Sequence, residues 1–140
     1  MIDILSGIQS TSAALNAERT RMDVISENIA NAHTTHGPDG KPYQRKVVVF
    51  ETELRQAMDG TGQVSTLKAA RVQNESRPAL MVYEPGHPDA DARGFVAMPN
   101  INIHEEMADL IAASRTFEAN LAVVRNARSM ALQTLSIGKK

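Results

Sequence analysis

Counted in alternating steps of three and four, the first 32 residues put Met1, Ile4, Ile8, Thr11, Leu15, Glu18, Met22, Ile25, Ile29 and Ala32 on one line, and eight of these ten are apolar or alanine. That step is the seam of a helix packed lengthwise on another helix. No proline interrupts it, and Gly7 lies near the start, where fraying is cheap. Residues 103–136 repeat the pattern through Ile103, Met107, Leu110, Ser114, Phe117, Leu121, Val124, Arg128, Ala131 and Leu135, again with eight of ten apolar or alanine. Pro99 precedes this second helix, Asn102 and Glu105 have capping-box spacing, and Gly138 with Lys139 and Lys140 makes a C-terminal stop. At 1.5 Å per residue the two helices would run about 43 and 50 Å.

Between them the period changes. Proline and glycine cluster at 37–42 and 85–99, and β-branched and aromatic residues mark short runs at 44–51, 63–73, 79–84 and 94–98. These runs predict strands. Arg45, Lys46 and Glu51 flank the first as charged gatekeepers. The expected fold is α+β: residues 1–32 and 103–140 form a discontinuous helical core, two long terminal helices pairing as an antiparallel coiled coil. Residues 33–102 form an inserted, mostly antiparallel β segment with long loops at 33–43 and 84–101.

With the chain ends in register, Thr11 would oppose Arg128 and Glu18 would oppose Leu121, so the two seam charges miss each other and at least one is expected to face a neighbouring subunit. Both helices also carry alanine off the seam, including Ala13, Ala14, Ala17, Ala112, Ala113 and Ala119. Helix propensity alone accounts for these, and so does close approach of helices on more than one side.

Composition narrows the function more than the fold. The 140 residues carry a net charge of −1, which draws the chain neither to nucleic acid nor to anionic lipid. Cysteine is absent, so no disulfide or thiolate chemistry is available. Tyr43, Phe50, Tyr83 and Phe95 lie in the middle of the chain, and of the five aromatics only Phe117 lies near an end, so the helices must pack with small and aliphatic side chains. The N-terminus lacks the pattern of a cleaved signal peptide, and no stretch is apolar enough to insert in a membrane.

The search for chemistry returns little. His33 and His36 could share a helical face, but no acidic cluster supplies further metal ligands there. DADARG at 89–94 opens like a calcium loop, yet Arg93 stands at the third ligand position and Asn100 at the twelfth. Ser65 to Lys68 fits SxxK, but in a predicted strand and without companion motifs. Neither an active site nor a cofactor is expected.

Four stretches and the C-terminal tail carry a resemblance. RMDVISENIANAHTT at 21–35 resembles the N-terminal signature of the bacterial flagellar axial proteins, the family of rod, hook and hook–filament junction subunits. GPDGKPYQRKVVVFE at 37–51 and VYEPGHPDADARGFVAMPNINIHEEM at 82–107 are similar to the rod members, and SRTFEAN at 114–120 with the tail ending in LSIGK resembles the family's C-terminus. His33 stands where a small polar or acidic residue is commoner, and Phe117 where tyrosine is common.

The resemblance implies a structural subunit of the basal-body rod, a drive shaft that crosses the periplasmic space and transmits torque to the hook. It implies partners among other rod subunits and copies of itself, and passage through the flagellar type III export apparatus without a cleaved signal. It makes Ser26, Asn28, Ile29, Ala30 and Asn31 an expected assembly element, the amides of Asn28 and Asn31 capping free carbonyls or bridging to a neighbour. The seam residues Ile8, Leu15, Met22, Ile25, Met107, Leu110, Phe117, Leu121, Val124 and Leu135 are the expected interface. The competing reading of the seams is a soluble coiled-coil adaptor that closes as a dimer.

Overall fold

The structure, a computed structural model, describes residues 4–56 and 63–137, with side chains over 10–50 and 70–137. Met1, the side chains of Ile8 and of the SxxK run, and the expected stop at Gly138 to Lys140 lie outside the described residues. Helix α1 spans Ile4–Ala30 and α2 spans Ile103–Ile137, with β1 (Lys46–Gln56), β2 (Gln63–Asn74), β3 (Leu80–Tyr83) and β4 (Phe95–Met98) between them.

The caps explain where the helices begin and end. Asn102 Oδ1 accepts the His104 N–H at 3.1 Å, while the Asn102 carbonyl accepts the Glu106 N–H at 3.0 Å, which starts α2 where its first amides need acceptors. At the end of α1 the Asn31 side chain donates to the Glu27 carbonyl at 2.9 Å, and Thr34 Oγ1 donates to Asn31 Oδ1 at 3.2 Å, so the chain turns away through its own polar groups.

The insert holds two antiparallel pairs, β1–β2 and β3–β4, not one continuous sheet. The first is a long hairpin running from Lys46 opposite Asn74 to Gln56 opposite Gln63, with a register shift between Glu51 and Thr52. The second pairs Leu80 with Met98 and Tyr83 with Phe95. Gly94 precedes β4 at φ +82°, and a Cβ there would come within 2.9 Å of the Tyr83 ring, so only glycine fits this turn.

The two helices pack side by side and antiparallel. Asn28 touches Glu106 and Arg21 reaches Asp109 at 3.8 Å, so one chain descends as the other climbs. This register corrects the one expected from aligned chain ends. It carries Ala17 across from Ala113, both buried, and Glu18 lies about two turns away from Leu121. The physical reason is that polar contacts at the Asn28 end, and not the chain termini, set the alignment. Glu18 and Arg128 are not paired among the described residues, and one Glu18 carboxylate oxygen is buried without a hydrogen-bond partner.

The register also shifts which residues form the inward stripe. Ala17, Val24, Ile25 and Asn28 are buried on α1 and Ala32 in the turn that follows it, and Leu15 and Met22 sit half-buried on the helix flank. On α2 Glu106 and Ala113 are buried and Leu110, Phe117, Leu121 and Val124 are half-buried, while Met107 is 52% exposed. The same alignment sets Ile4 against about Asn126 to Met130, so the end of α2 projects beyond it with Leu132, Leu135 and Ile137 exposed. No described helix is long and apolar enough to cross a membrane.

Candidate assembly site

The end of α1, the start of α2 and the strand that leaves the loop meet at one polar cluster. Asn28 lies at its centre, only 1% exposed. Its Oδ1 accepts the backbone N–H of Lys46 at 2.9 Å and the Tyr43 hydroxyl at 3.1 Å. Its Nδ2 donates to the Lys46 carbonyl at 2.9 Å and to Glu106 Oε2 at 3.0 Å. All four hydrogen-bonding positions of the amide are therefore used. Toward Lys46 the side chain behaves as a short strand would, pairing both backbone groups at the first residue of β1 and fixing the hairpin to the helix.

Glu106 is equally buried and comes from one turn inside α2. Arg45 holds its other oxygen through Nε at 2.7 Å and Nη2 at 2.6 Å, a forked pair of charge-assisted bonds. Arg45 Nη1 also reaches Glu75 Oε2 at 2.8 Å, and Arg77 Nε meets the second oxygen of Glu75 at 3.0 Å. The Arg45 carbonyl accepts the Glu75 N–H at 2.7 Å, which brings the chain leaving β2 to the same point. Lys46 Nζ pairs with Glu27 and lies 5.7 Å from the centre of the Tyr43 ring. Segments far apart in sequence are thus joined by charge compensation: two arginines, two carboxylates and one amide, each with a partner.

The titration of the cluster follows from that wiring. Burial by itself would lower the pKa of Arg45, but the hydrogen bonds and charges of Glu75 and Glu106 outweigh it and hold the guanidinium above its usual value. The hydrogen bond from Arg45 holds Glu75 below the ordinary carboxylate range against the opposing effect of burial, with Arg77 adding to it. Burial, then the charges of Glu27 and Glu106, push Tyr43 up to about 12.

A depressed carboxylate pKa stabilises the fold above its unfolded value and loses that contribution as pH falls through the folded one. Glu75→Gln is therefore expected to cost about 1–2 kcal/mol at pH 7, with the gap to the unaltered chain closing below about pH 4, as measured by urea denaturation across pH. Tyr43 has the opposite sign: its contribution is complete below about pH 10 and is lost as pH rises through about 12. Tyr43→Phe removes that alkaline dependence.

The expected assembly element divides across this geometry. Asn28 faces inward, Ile29 and Asn31 are half-buried, and Ser26 and Ala30 are exposed one turn apart on the outer side of α1. Asn31 caps its own helix, and Ser26 Oγ donates back to the Met22 carbonyl at 2.8 Å. Arg45 and Lys46, read from sequence as gatekeepers, are members of the cluster. Sequence reasoning missed Glu106 and Glu75 as well. The available signal was Glu106 itself, which lies between Ile103 and Leu110 at helical spacing on the face that must be covered.

The histidines lie elsewhere. Thr35 Oγ1 donates to Asp89 Oδ2 at 2.7 Å, with His36 3.9 Å and His87 4.0 Å from the two oxygens of Asp89, and His33 is exposed. Asp91 Oδ1 accepts the N–H groups of Arg93 and Phe95, so the DADARG turn spends that carboxylate on its own backbone. Among the described residues no group of three or more His, Asp or Glu side chains could hold a metal ion.

Comparison with known proteins bears on the same two ends. The family described as "Flagella basal body rod protein" matches residues 8–38, and the one described as "Flagellar basal body rod FlgEFG protein C-terminal" matches residues 92–137. The flagellar basal-body rod protein FlgC of Salmonella typhimurium is 42% identical over 91% of this chain and 92% of its own length. The protein of that name from Borreliella burgdorferi is 37% identical, covering 96% and 97% of the two chains, and that from Yersinia enterocolitica is 36% identical over 99% and 100%. Shared identity at this level along almost the whole length, with both ends matching rod families, means that the chain belongs to the flagellar basal-body rod proteins of the FlgC family.

Proposed function

We propose that this rod subunit polymerises through its helix pair into the shaft that carries torque from motor to hook. The observation that carries the proposal is α2. Its inward stripe is already covered by α1, yet Met107, Ile111, Val123, Met130, Leu132, Leu135 and Ile137 remain exposed. An isolated subunit leaves that apolar surface in water, and a lattice of neighbours removes it. Contacts between unlike patches that do not close into a ring generate a filament, and many such contacts add into a stiff one.

The helices supply the core of the shaft and the β segment stands outside it. Each long helix has a costly nucleus and needs a covered face to be stable. A chain of this kind unfolds readily for passage through the type III exporter and orders again on assembly in the periplasmic space. Other rod subunits and further copies of the chain are the partners.

The experiment places charge on the projecting end. Leu132→Glu with Leu135→Glu is expected to stop incorporation into isolated basal bodies and abolish swimming, while the free chain keeps its stability to within about 0.5 kcal/mol because both positions are exposed. Normal rods containing the double variant would defeat the proposal. Equal loss of stability in the free chain would make these residues part of the monomer core instead.

A further inference from the structure

The helix pair is charged unequally along its length. Residues 4–17 of α1 and 119–137 of α2 include no Asp or Glu, and with histidine neutral their charges are Arg125 and Arg128, a net +2. The other half, residues 18–30 and 103–118, is acidic. There Glu27 is matched by Lys46 and Glu106 by Arg45, both from the β segment. That leaves Glu18, Asp23, Glu105, Asp109 and Glu118 against Arg19, Arg21 and Arg115, a net −2. Asp23, Glu118, Arg125 and Arg128 are exposed, and none of them meets an opposite charge among the described residues.

The helix dipole does not produce this split. It favours acids at the start of a helix and cations at its end, and it fades beyond the terminal turn. Asp23 stands toward the end of α1, where a cation is favoured. Glu118 lies about four turns inside α2, and Arg128 lies more than two turns before Ile137. The helices are antiparallel, so their dipoles oppose one another along the pair.

We propose that each copy lays the basic half of its helix pair along the acidic half of the next copy, the two pairs side by side, pointing the same way and staggered by about 25 Å, near half the length of α2. Copies packed level would set like charge beside like at both ends. The stagger also brings exposed Val123, Met130 and Leu132 of one copy near the level of exposed Met107 and Ile111 of the next, so apolar surface covers apolar surface. An antiparallel pair of copies would match the same halves but would close at two. The choice of direction therefore rests on the rod reading, which needs a contact that stays open.

The test follows incorporation of the full chain into isolated basal bodies. Arg125→Glu with Arg128→Glu should lower incorporation about tenfold or more, and so should Asp23→Lys with Glu118→Lys. The urea midpoint of the free chain should stay where it is in both, because all four positions are exposed and unpaired. Joining the four changes in one chain restores the match and should return incorporation to within about twofold of the unaltered chain. Either double variant entering as well as the unaltered chain, or a four-change chain no better than the doubles, would overturn the stagger. A disulfide between copies through Ala119→Cys, exposed near the middle of α2 in a chain with no cysteine of its own, would reveal the antiparallel arrangement and overturn it too. Those outcomes leave the rod reading standing; an unaltered chain missing from basal bodies would defeat both.

Discussion

Glu106→Ala is expected to destabilise the chain by about 3–5 kcal/mol, read as a fall in the urea midpoint with an unchanged slope. The carboxylate is 1% exposed and accepts three bonds, two from Arg45 and one from Asn28. Its removal leaves part of a half-buried guanidinium facing a gap and one buried amide donor unpaired, while the desolvation cost of both has already been met. Glu75 still touches Arg45, which limits the loss.

Charge and shape separate in two further variants. Glu106→Gln keeps the volume and an acceptor and should cost less than alanine. Arg45→Met combined with Glu106→Leu should cost less than the two single changes added together, since an apolar pair carries no orphaned charge. A midpoint for Glu106→Ala within about 1 kcal/mol of the unaltered chain would mean that water replaces the carboxylate freely and that the cluster does not clamp the three segments together.

That cluster marks the boundary of what the sequence made legible. Helical period, the Asn102 cap and the β-branched runs are local signals, and α1, α2 and the starts of β2, β3 and β4 fall within a residue or a few of where those signals put them. The end of β1 was not legible. The apolar run stops at Glu51, but pairing carries the strand to Gln56 because β2 offers backbone partners from Gln63 onward, and backbone partners do not depend on hydrophobicity.

The division into two sheets was likewise hidden, because nothing in four short runs says which pairs with which. The helix register was misread for a related reason. Seam periodicity fixes a face but not an offset along the axis, and here the offset comes from Asn28 meeting Glu106, residues 78 apart in sequence. A buried carboxylate is also a poor guess from any single chain, since its cost is recovered only when Arg45, 61 residues away, is in place.

Asn28 separates folding from assembly within the family signature. Asn28→Ala should lower stability by about 2–4 kcal/mol, because it strips partners from the Lys46 N–H and carbonyl, the Tyr43 hydroxyl and Glu106 at once. Asn28→Asp keeps nearly the same shape yet should be at least as damaging at neutral pH. Its second oxygen would confront the Lys46 carbonyl and Glu106 Oε2 where Nδ2 now donates, so two attractions become repulsions. Acidification should restore part of the loss in Asn28→Asp alone, as the added carboxyl takes a proton and becomes a donor. Swimming should fail in both variants together with the fold. Ser26→Arg and Ala30→Arg sit on the exposed outer side of α1 and should block rod assembly while leaving the denaturation midpoint nearly unchanged. If instead Asn28→Ala kept full stability and lost only assembly, the amide would have to serve a neighbouring subunit, and the bonds it makes to Lys46 and Glu106 would carry no weight in the free chain.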